Sequence, residues 1–281
     1  MISRKLFAIV ILATSAIAAM AQTQQIRAFS HRGGRMEHDE NTLSAFQASH
    51  DAGYTGYETD LRMTADGHLV VTHDSNLERT TNGTGAVEKL TRKQIEQLRT
   101  KKGHKLMFID ELMAWLKDKK GLYVEFEMKT DDKVKETGAF LYEGERLEEY
   151  CNKMYEQCKA KMPKDADWTL TSFDHRPLQK IHAQHPEAVL GLITSEGCTE
   201  ETVKLCKQLG VRRLAALLDK SSRKGVKTAH ANRINVNLWP GSKFSDALLA
   251  MYLGADYICT DVPMGAMEYL KKNPPGRPYR F

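Results

Sequence analysis

Short apolar runs that read as β-strands recur along this chain with helical patterns between them, and that alternation limits the fold more than any other feature. The strand runs are Ile26 to Ser30, Gly56 to Leu61, Tyr123 to Met128, Trp168 to Phe173, Val189 to Ile193, Arg212 to Leu218, Ile234 to Trp239 and Ala255 to Thr260. Helices are expected over Thr91 to Leu98, Ile109 to Lys117, Arg146 to Met162, Leu178 to Gln184, Thr199 to Leu209 and Phe244 to Leu253. A further helix carries Leu43, Ala45, Phe46 and Ala48, with Asn41 expected as its cap and Gly53 as its stop. One more β-prone run, His68 to His73, follows the second strand through Ala65-Asp66-Gly67. Asp-Gly is a tight-turn signal, and the link is far shorter than the dozen or so residues of a parallel crossover. That run is therefore predicted to fold back as a hairpin arm and not to count as a barrel strand. Eight strands with helices mostly between them favour an α/β fold of the (β/α)8 TIM-barrel type over an open doubly wound sheet. No Gly-x-Gly-x-x-Gly follows a strand, which argues against a dinucleotide-binding domain. With no internal repeat or domain linker, 281 residues suit a single barrel.

The first 21 residues differ from the rest. Arg4 and Lys5 precede an apolar run from Leu6 to Ala18, too short for a comfortable membrane span. Ala19-Met20-Ala21 then supplies a small-residue cleavage site before polar Gln22 to Gln25. The expectation is a secretory signal peptide over 1–21, a barrel domain over 22–281, and a secreted or periplasmic mature protein. Losing Arg4 and Lys5 lowers the formal charge from +5 to +3, and no Lys/Arg cluster is interleaved with aromatics. Nucleic acid is not an expected partner. Five cysteines, an odd number, leave at least one free thiol in a monomer. Cys151 and Cys158 lie roughly 10 Å apart on one helix, too far to bridge. No cysteine or histidine spacing matches a zinc site, so the cysteines read as small buried side chains.

The polar residues that interrupt the apolar runs are the candidates for chemistry. Glu58 and Asp60 sit two apart on one strand and share a face. Two crowded carboxylates need neutralising, by a hard divalent cation or by a distant arginine, unless the strand faces solvent. Glu125 and Glu127 form a similar pair on the next strand, the latter nearer the C-terminal end where barrel active sites lie. Spacing alone assigns Glu125 no role. His31 and His73 each follow an apolar run, and the Asp-Gly turn brings position 73 near position 60. Imidazoles titrate near neutrality, so one can accept a proton while another donates. The other eight histidines read as surface or structural groups. Arg32 and Lys129 flank these positions, and both side chains suit an anion such as phosphate.

Several of these pieces stand in a familiar order. His31-Arg32-Gly33, Glu40-Asn41-Thr42, Glu58-Thr59-Asp60, Thr64-Ala65-Asp66-Gly67, Val70 to Asp74 and Arg79 to Gly85 together resemble the opening of the glycerophosphodiester phosphodiesterase family. The resemblance independently implies a barrel. It implies a divalent metal ion, Ca²⁺ or Mg²⁺, held by Glu58, Asp60 and Glu127, because the family pattern Glu-apolar-Lys selects Glu127 and Lys129. It implies His31 and His73 as the acid–base pair, with His31 assigned as base and His73 as acid. Arg32 and Lys129 become the phosphate holders, and Glu40 orients Arg32 or a histidine or lies close to the metal. Asn41 keeps its role as a helix cap and Arg79 that of a local structural contact. Thr171 to Asp174, Trp239 to Ser242 and Thr260 to Pro263 look like later landmarks. Trp239 either walls the substrate pocket or packs in the core; the polar residues that usually follow this tryptophan in the family are replaced here by Pro240-Gly241-Ser242.

The implied activity is metal-dependent hydrolysis of a small glycerophosphodiester to glycerol 3-phosphate and an alcohol. Two rival readings belong beside it. One is cleavage of lysophospholipid or phosphoinositol head groups, which a longer apolar entrance would favour. The other is a catalytically silent phospholipid or cell-surface binding protein, which would require the loss of a histidine or a metal carboxylate; none is missing.

Overall fold

Eight parallel strands close on themselves in the computed structural model, which describes residues 26–133, 138–275 and 278–281. The expected signal peptide lies outside the described residues. Strands β1 (Ile26–His31) and β2 (Gly56–Met63) pair side by side. The hairpin arm β3 (Leu69–Val71) runs antiparallel to β2 and pairs in turn with β4 (Met107–Phe108). The barrel continues through β5 (Tyr123–Met128), β6 (Asp167–Ser172), β7 (Leu190–Ile193) and β8 (Arg213–Leu217). It then passes through β9 (Asn235–Gly241) and β10 (Tyr257–Thr260), which pairs back onto β1. A short β11 (Tyr279–Arg280) adds to β1 at Ile26 and Arg27. The barrel and its hairpin arm are as the sequence predicts.

The helices are α1 (Leu43–Asp51), α2 (Arg92–Glu96), α3 (Ile109–Leu116), α4 (Gly144–Lys161) and α5 (His175–Gln184). They continue with α6 (Glu200–Leu209), α7 (Arg223–Ala231), α8 (Asp246–Leu253) and α9 (Pro263–Lys272). Two of these, α7 and α9, have no counterpart in the sequence reading. In α7 only Gly225, Val226 and Ala229 are buried, so its apolar stripe is thin. The cap of α1 is also corrected. Thr42, not Asn41, accepts the amide of Ala45, and Asn41 sits in the left-handed region at φ 58°. A threonine hydroxyl serves as a cap as well as an amide does, which frees Asn41 to turn inward.

Strand alternation divides the apolar residues between two cores. Ala28, Tyr57, Val124 and Leu170 face the helices and meet Phe46, Leu112, Tyr150 and Leu178. Inside the barrel, Phe29, Tyr123 and Cys259 form a separate cluster. Tyr123 stacks on Tyr257 with ring centroids 4.4 Å apart, closing the lower end of the barrel. A satellite core of Val70, Leu77, Val87, Ile95, Leu106 and Phe108 supports the hairpin arm. All five cysteines are buried and free. No helix among the described residues is long and apolar enough to cross a membrane.

Candidate active site

Register between neighbouring strands builds the site in two levels above the aromatic floor. His31 pairs with Glu58, and Glu58 with Glu125, on the lower level. Asp60 pairs with Glu127 one step nearer the mouth. Glu58, Asp60 and Glu127 each offer an oxygen within 4.8 Å of the other two. All three are buried, and Glu58 Oε1 and Asp60 Oδ1 have no hydrogen-bond partner. Burial, with Asp60 and Glu127 close by, pushes the Glu58 carboxyl well above its ordinary range. Glu127 is pushed up by burial as well, against the pull of Lys129. Burial works the same way on Asp60, but Arg32 overrides it and holds that carboxylate below its usual range. Converging carboxylate oxygens with unfilled acceptor capacity are the donor set of a hard divalent cation, so these residues fit such an ion.

Arg32 and Lys129 stand against this cluster. Arg32 occupies the left-handed region at φ 54°, which turns its amide toward Glu58 Oε2 at 3.2 Å. The following Gly33 must be glycine, because at φ 77° an added Cβ would lie 2.7 Å from the Cβ of Ala45. The Arg32 guanidinium reaches Asp60 at 3.1 Å and Glu40 at 3.2 Å. Burial opposes its charge, but Asp60, Glu58 and Glu40 more than restore it and keep it protonated. Lys129 Nζ donates to Glu127 Oε1 at 2.8 Å and lies 3.2 Å from His73 Nε2. Asn41 Nδ2 donates to Asp60 Oδ2 at 2.8 Å, so the residue read as a cap instead fixes one of the cluster's carboxylates.

Each histidine has its Nδ1 engaged by an aspartate. His31 Nδ1 meets Asp261 Oδ1 at 2.5 Å, and Asp261 is anchored further by Arg35 Nε at 2.7 Å and Ser242 Oγ at 2.9 Å. His73 Nδ1 meets Asp74 Oδ1 at 2.6 Å. Asp74 pairs with Arg79, whose guanidinium also donates to both oxygens of Glu40 at 2.9 and 2.6 Å. Arg79 is therefore more than a local contact; with Glu40 it links the supports of Arg32 and His73. Burial, and then the neighbouring Arg32, lower the basicity of His31 despite the opposing Asp261. That shift favours the neutral imidazole, the form that accepts a proton.

Glu125 acquires a physical account. Tyr123 donates its hydroxyl to Glu125, and Asn237 Nδ2 donates at 3.2 Å. Burial lifts this carboxyl to about 7. It lies below the carboxylate cluster and is held by hydrogen bonds from the barrel wall. Above it opens a cavity of about 160 Å³, lined in part by His31, Glu58, Glu127, Phe173, Trp239 and Cys259. Trp239 stands edge-on to Phe173 with centroids 5.5 Å apart and walls one side. A wider outer pocket of about 540 Å³ shares His73 and reaches Lys129 and Arg79.

All the side chains singled out from the sequence meet at one end of the barrel: His31, Arg32, Glu40, Glu58, Asp60, His73, Glu127, Lys129 and Trp239. The reading missed Asp261, Asp74, Arg35 and Phe173 as parts of the site. Three of these stood inside the quoted stretches Val70 to Asp74, Thr171 to Asp174 and Thr260 to Pro263, so the motifs held a signal that the residue-level reasoning did not use.

Barrel enzymes work at the C-terminal ends of their strands, where these residues gather, and a mouth with two buried cations beside converging carboxylates suits a phosphate ester. The class defined is a TIM-barrel hydrolase acting on phosphate esters. A model of the Glycerophosphoryl diester phosphodiesterase family matches residues 31–264, and the chain belongs to that family, whose members are phosphoric diester hydrolases. A glycerophosphodiester phosphodiesterase of Caldanaerobacter subterraneus subsp. tengcongensis is 27% identical over 250 residues, spanning 86% of this chain and 97% of the relative. Human glycerophosphodiester phosphodiesterase 1 is 38% identical over 105 residues, which cover 37% of this chain and 32% of that protein. Among solved structures, a putative glycerophosphoryl diester phosphodiesterase from Silicibacter pomeroyi superposes with a TM-score of 0.79 at 21% identity, covering 91% of this chain and 96% of the other. An Oleispira antarctica phosphodiesterase, solved with the product sn-glycerol-3-phosphate, gives 0.75 at 21% identity over 88% of this chain and 97% of that one. At those identities the two structures speak for the fold.

Proposed function

We propose that the chain hydrolyses glycerophosphodiesters to glycerol 3-phosphate and an alcohol, using a divalent cation, Ca²⁺ or Mg²⁺, held by Glu58, Asp60 and Glu127. The observation that carries this reading is the convergence of three buried carboxylates between two histidines, each with Nδ1 engaged by an aspartate. When bound, the cation would polarise the phosphoryl oxygens and offset the charge that develops on them. Arg32 and Lys129 hold the phosphate and stabilise its charge during displacement. His31, with its basicity lowered by burial and by Arg32, takes a proton at Nε2 from the nucleophile. That nucleophile is either water attacking phosphorus directly or a glycerol hydroxyl that closes a cyclic phosphate, which water then opens to glycerol 3-phosphate. His73 gives a proton to the departing alkoxide as the phosphorus–oxygen bond breaks, with Asp74 fixing its ring through Nδ1. Trp239 and Phe173 form the apolar wall that holds the substrate against this face.

The test is release of glycerol 3-phosphate from a panel of glycerophosphodiesters by purified protein, with and without a chelator. Hydrolysis that stops on chelation and returns with Ca²⁺ or Mg²⁺ supports the proposal. Full activity in excess chelator, or no release from any member of the panel, overturns it. A mature chain that begins at Gln22 and works outside the cytoplasm completes the proposal, supported by the basic start, apolar run and cleavage site of the first 21 residues. N-terminal sequencing of protein from the native host should read from Gln22; an intact Met1 on soluble cytoplasmic protein would refute export.

A further inference from the structure

Cys259 has no part in the reaction above, yet it lines the catalytic cavity and is the one cysteine of the five that does. Its ligating atom lies within 4.8 Å of one from His31 and one from Glu58, and all three residues are buried. The three come from consecutive barrel strands, β10, β1 and β2. Two further features favour an ion here. The Nδ1 of His31 is engaged by Asp261 at 2.5 Å, which leaves Nε2 facing Glu58 at 3.6 Å. A carboxylate behind the imidazole is the usual support of a histidine that binds zinc. Glu58 Oε1, in turn, is a buried acceptor with no hydrogen-bond partner.

We propose that His31, Glu58 and Cys259 form a second metal site, one for a thiophilic divalent ion such as Zn²⁺ or Cd²⁺. Nitrogen, oxygen and sulfur donors from three residues, with a fourth position open to the cavity, make the coordination set of a four-coordinate zinc ion. Ca²⁺ and Mg²⁺ take oxygen ligands, so the thiol separates this site from the all-carboxylate cluster above it. Binding displaces the thiol proton to solvent and involves no redox step. The two sites share Glu58 and exclude one another. Taking the proposed catalytic assignments of His31 and Glu58, a thiophilic ion removes the base and one ligand of the activating cation at once, and it acts as a switch that turns hydrolysis off.

Binding is read apart from catalysis. The full mature chain, stripped of metal and kept reduced, is titrated with cadmium chloride while the ultraviolet thiolate-to-cadmium charge-transfer band is followed. One equivalent should produce the band in the wild type, and Cys259→Ala should lose it. Cys259→Ser, closer in size, repeats the test where the alanine variant does not fold. Zinc inhibition is then measured against each protein's own uninhibited rate, and the half-inhibiting concentration should rise about tenfold or more in the Cys259 variants. No band in the wild type, a band that persists without Cys259, or equal zinc sensitivity in wild type and variants would overturn the proposal. A protein that shows the Cys259-dependent band but hydrolyses no glycerophosphodiester keeps the metal site and refutes the catalytic reading instead.

Discussion

His31 and His73 differ in burial although both are tied to an aspartate: His31 is 7% exposed, while His73 faces the outer pocket as well as the inner cavity. That difference supports the assignment of His31 as base and His73 as acid. General acid or base help is worth roughly 10²–10⁴ in rate, so alanine at either position should be severe on a natural substrate. An alkoxide leaves poorly without a proton, whereas a nitrophenolate leaves well. His73→Ala should therefore recover much of its lost kcat/KM on a nitrophenyl phosphodiester, relative to wild type on each substrate, and His31→Ala should not. Rescue confined to His31→Ala would exchange the roles. The two glutamates of β5 offer a second contrast. Glu127 shares the carboxylate cluster with Glu58 and Asp60, whereas Glu125 sits below it between Tyr123 and Asn237. Calorimetric titration with Ca²⁺ or Mg²⁺ should find binding strongly weakened in Glu127→Gln and nearly kept in Glu125→Gln, whose loss falls on stability. The reverse pattern would move the third ligand to Glu125.

Elements far from the mouth carry their own electrostatics. His230, in the last turn of α7, meets Asp256 Oδ2 at 2.9 Å, and the same oxygen accepts the Val236 amide at 2.7 Å. This ties α7 to the start of β9 and to the residue preceding β10. The hydrogen bond to Asp256 raises the basicity of His230, against the opposing effect of burial. A histidine whose folded pKa lies above its unfolded value contributes stability fully present below the unfolded value, about 6.5, and lost as pH rises through the folded value. The stability difference between wild type and His230→Ala in denaturant unfolding should thus be greatest near about pH 5.5 and shrink toward about pH 9. Its full size is about 1 kcal/mol, because the imidazole is partly exposed. A difference that stays flat or grows with pH would refute the assignment. Elements also divide what could be read in the sequence from what could not. The barrel strands were legible because most are short runs rich in apolar and β-prone residues, and Glu58, Asp60 and Glu127 stood out as charges inside such runs. Helix α7 was missed although its polar and apolar faces are well separated, because its buried stripe is made only of the small side chains Gly225, Val226 and Ala229 within a polar segment. Asp261 stood inside a quoted motif, but its role was hidden because its partner His31 lies 230 positions away and only closure of β10 onto β1 brings them together. Asn41 was misread because its neighbour Thr42 offers the same capping chemistry, and the choice between them depends on Asp60, a residue on another element.

The whole molecule bears the cost of that gathered charge. Three carboxylates from β2 and β5 are held together in a buried space, two of them with an oxygen that has no hydrogen-bond partner, while in the unfolded chain each would be fully hydrated. Arg32 and Lys129 offset part of this, but both cations are already engaged by Asp60, Glu40 and Glu127. A divalent ion that fills the cluster binds the folded barrel and finds no equivalent site in the unfolded chain, so it should stabilise the fold as well as support hydrolysis. At a hundredfold excess over its dissociation constant, an ion bound only to the native state adds about 2.7 kcal/mol. For a protein of this size each kcal/mol moves Tm by roughly 2–4 °C, so saturating Ca²⁺ or Mg²⁺ should raise Tm by roughly 5–10 °C over the chelated protein. Asp60→Ala removes one ligand from the cluster and takes away a partner of Arg32. Its starting Tm will therefore change for reasons of its own, and the informative quantity is the increment on adding metal. That increment should nearly vanish in Asp60→Ala and survive in His73→Ala, which leaves all three carboxylates in place. The measurement needs no substrate and is independent of whether the catalytic assignments hold. Equal Tm values with metal and with chelator in the wild type, or an undiminished increment in Asp60→Ala, would mean that the carboxylate cluster is not where a divalent ion binds.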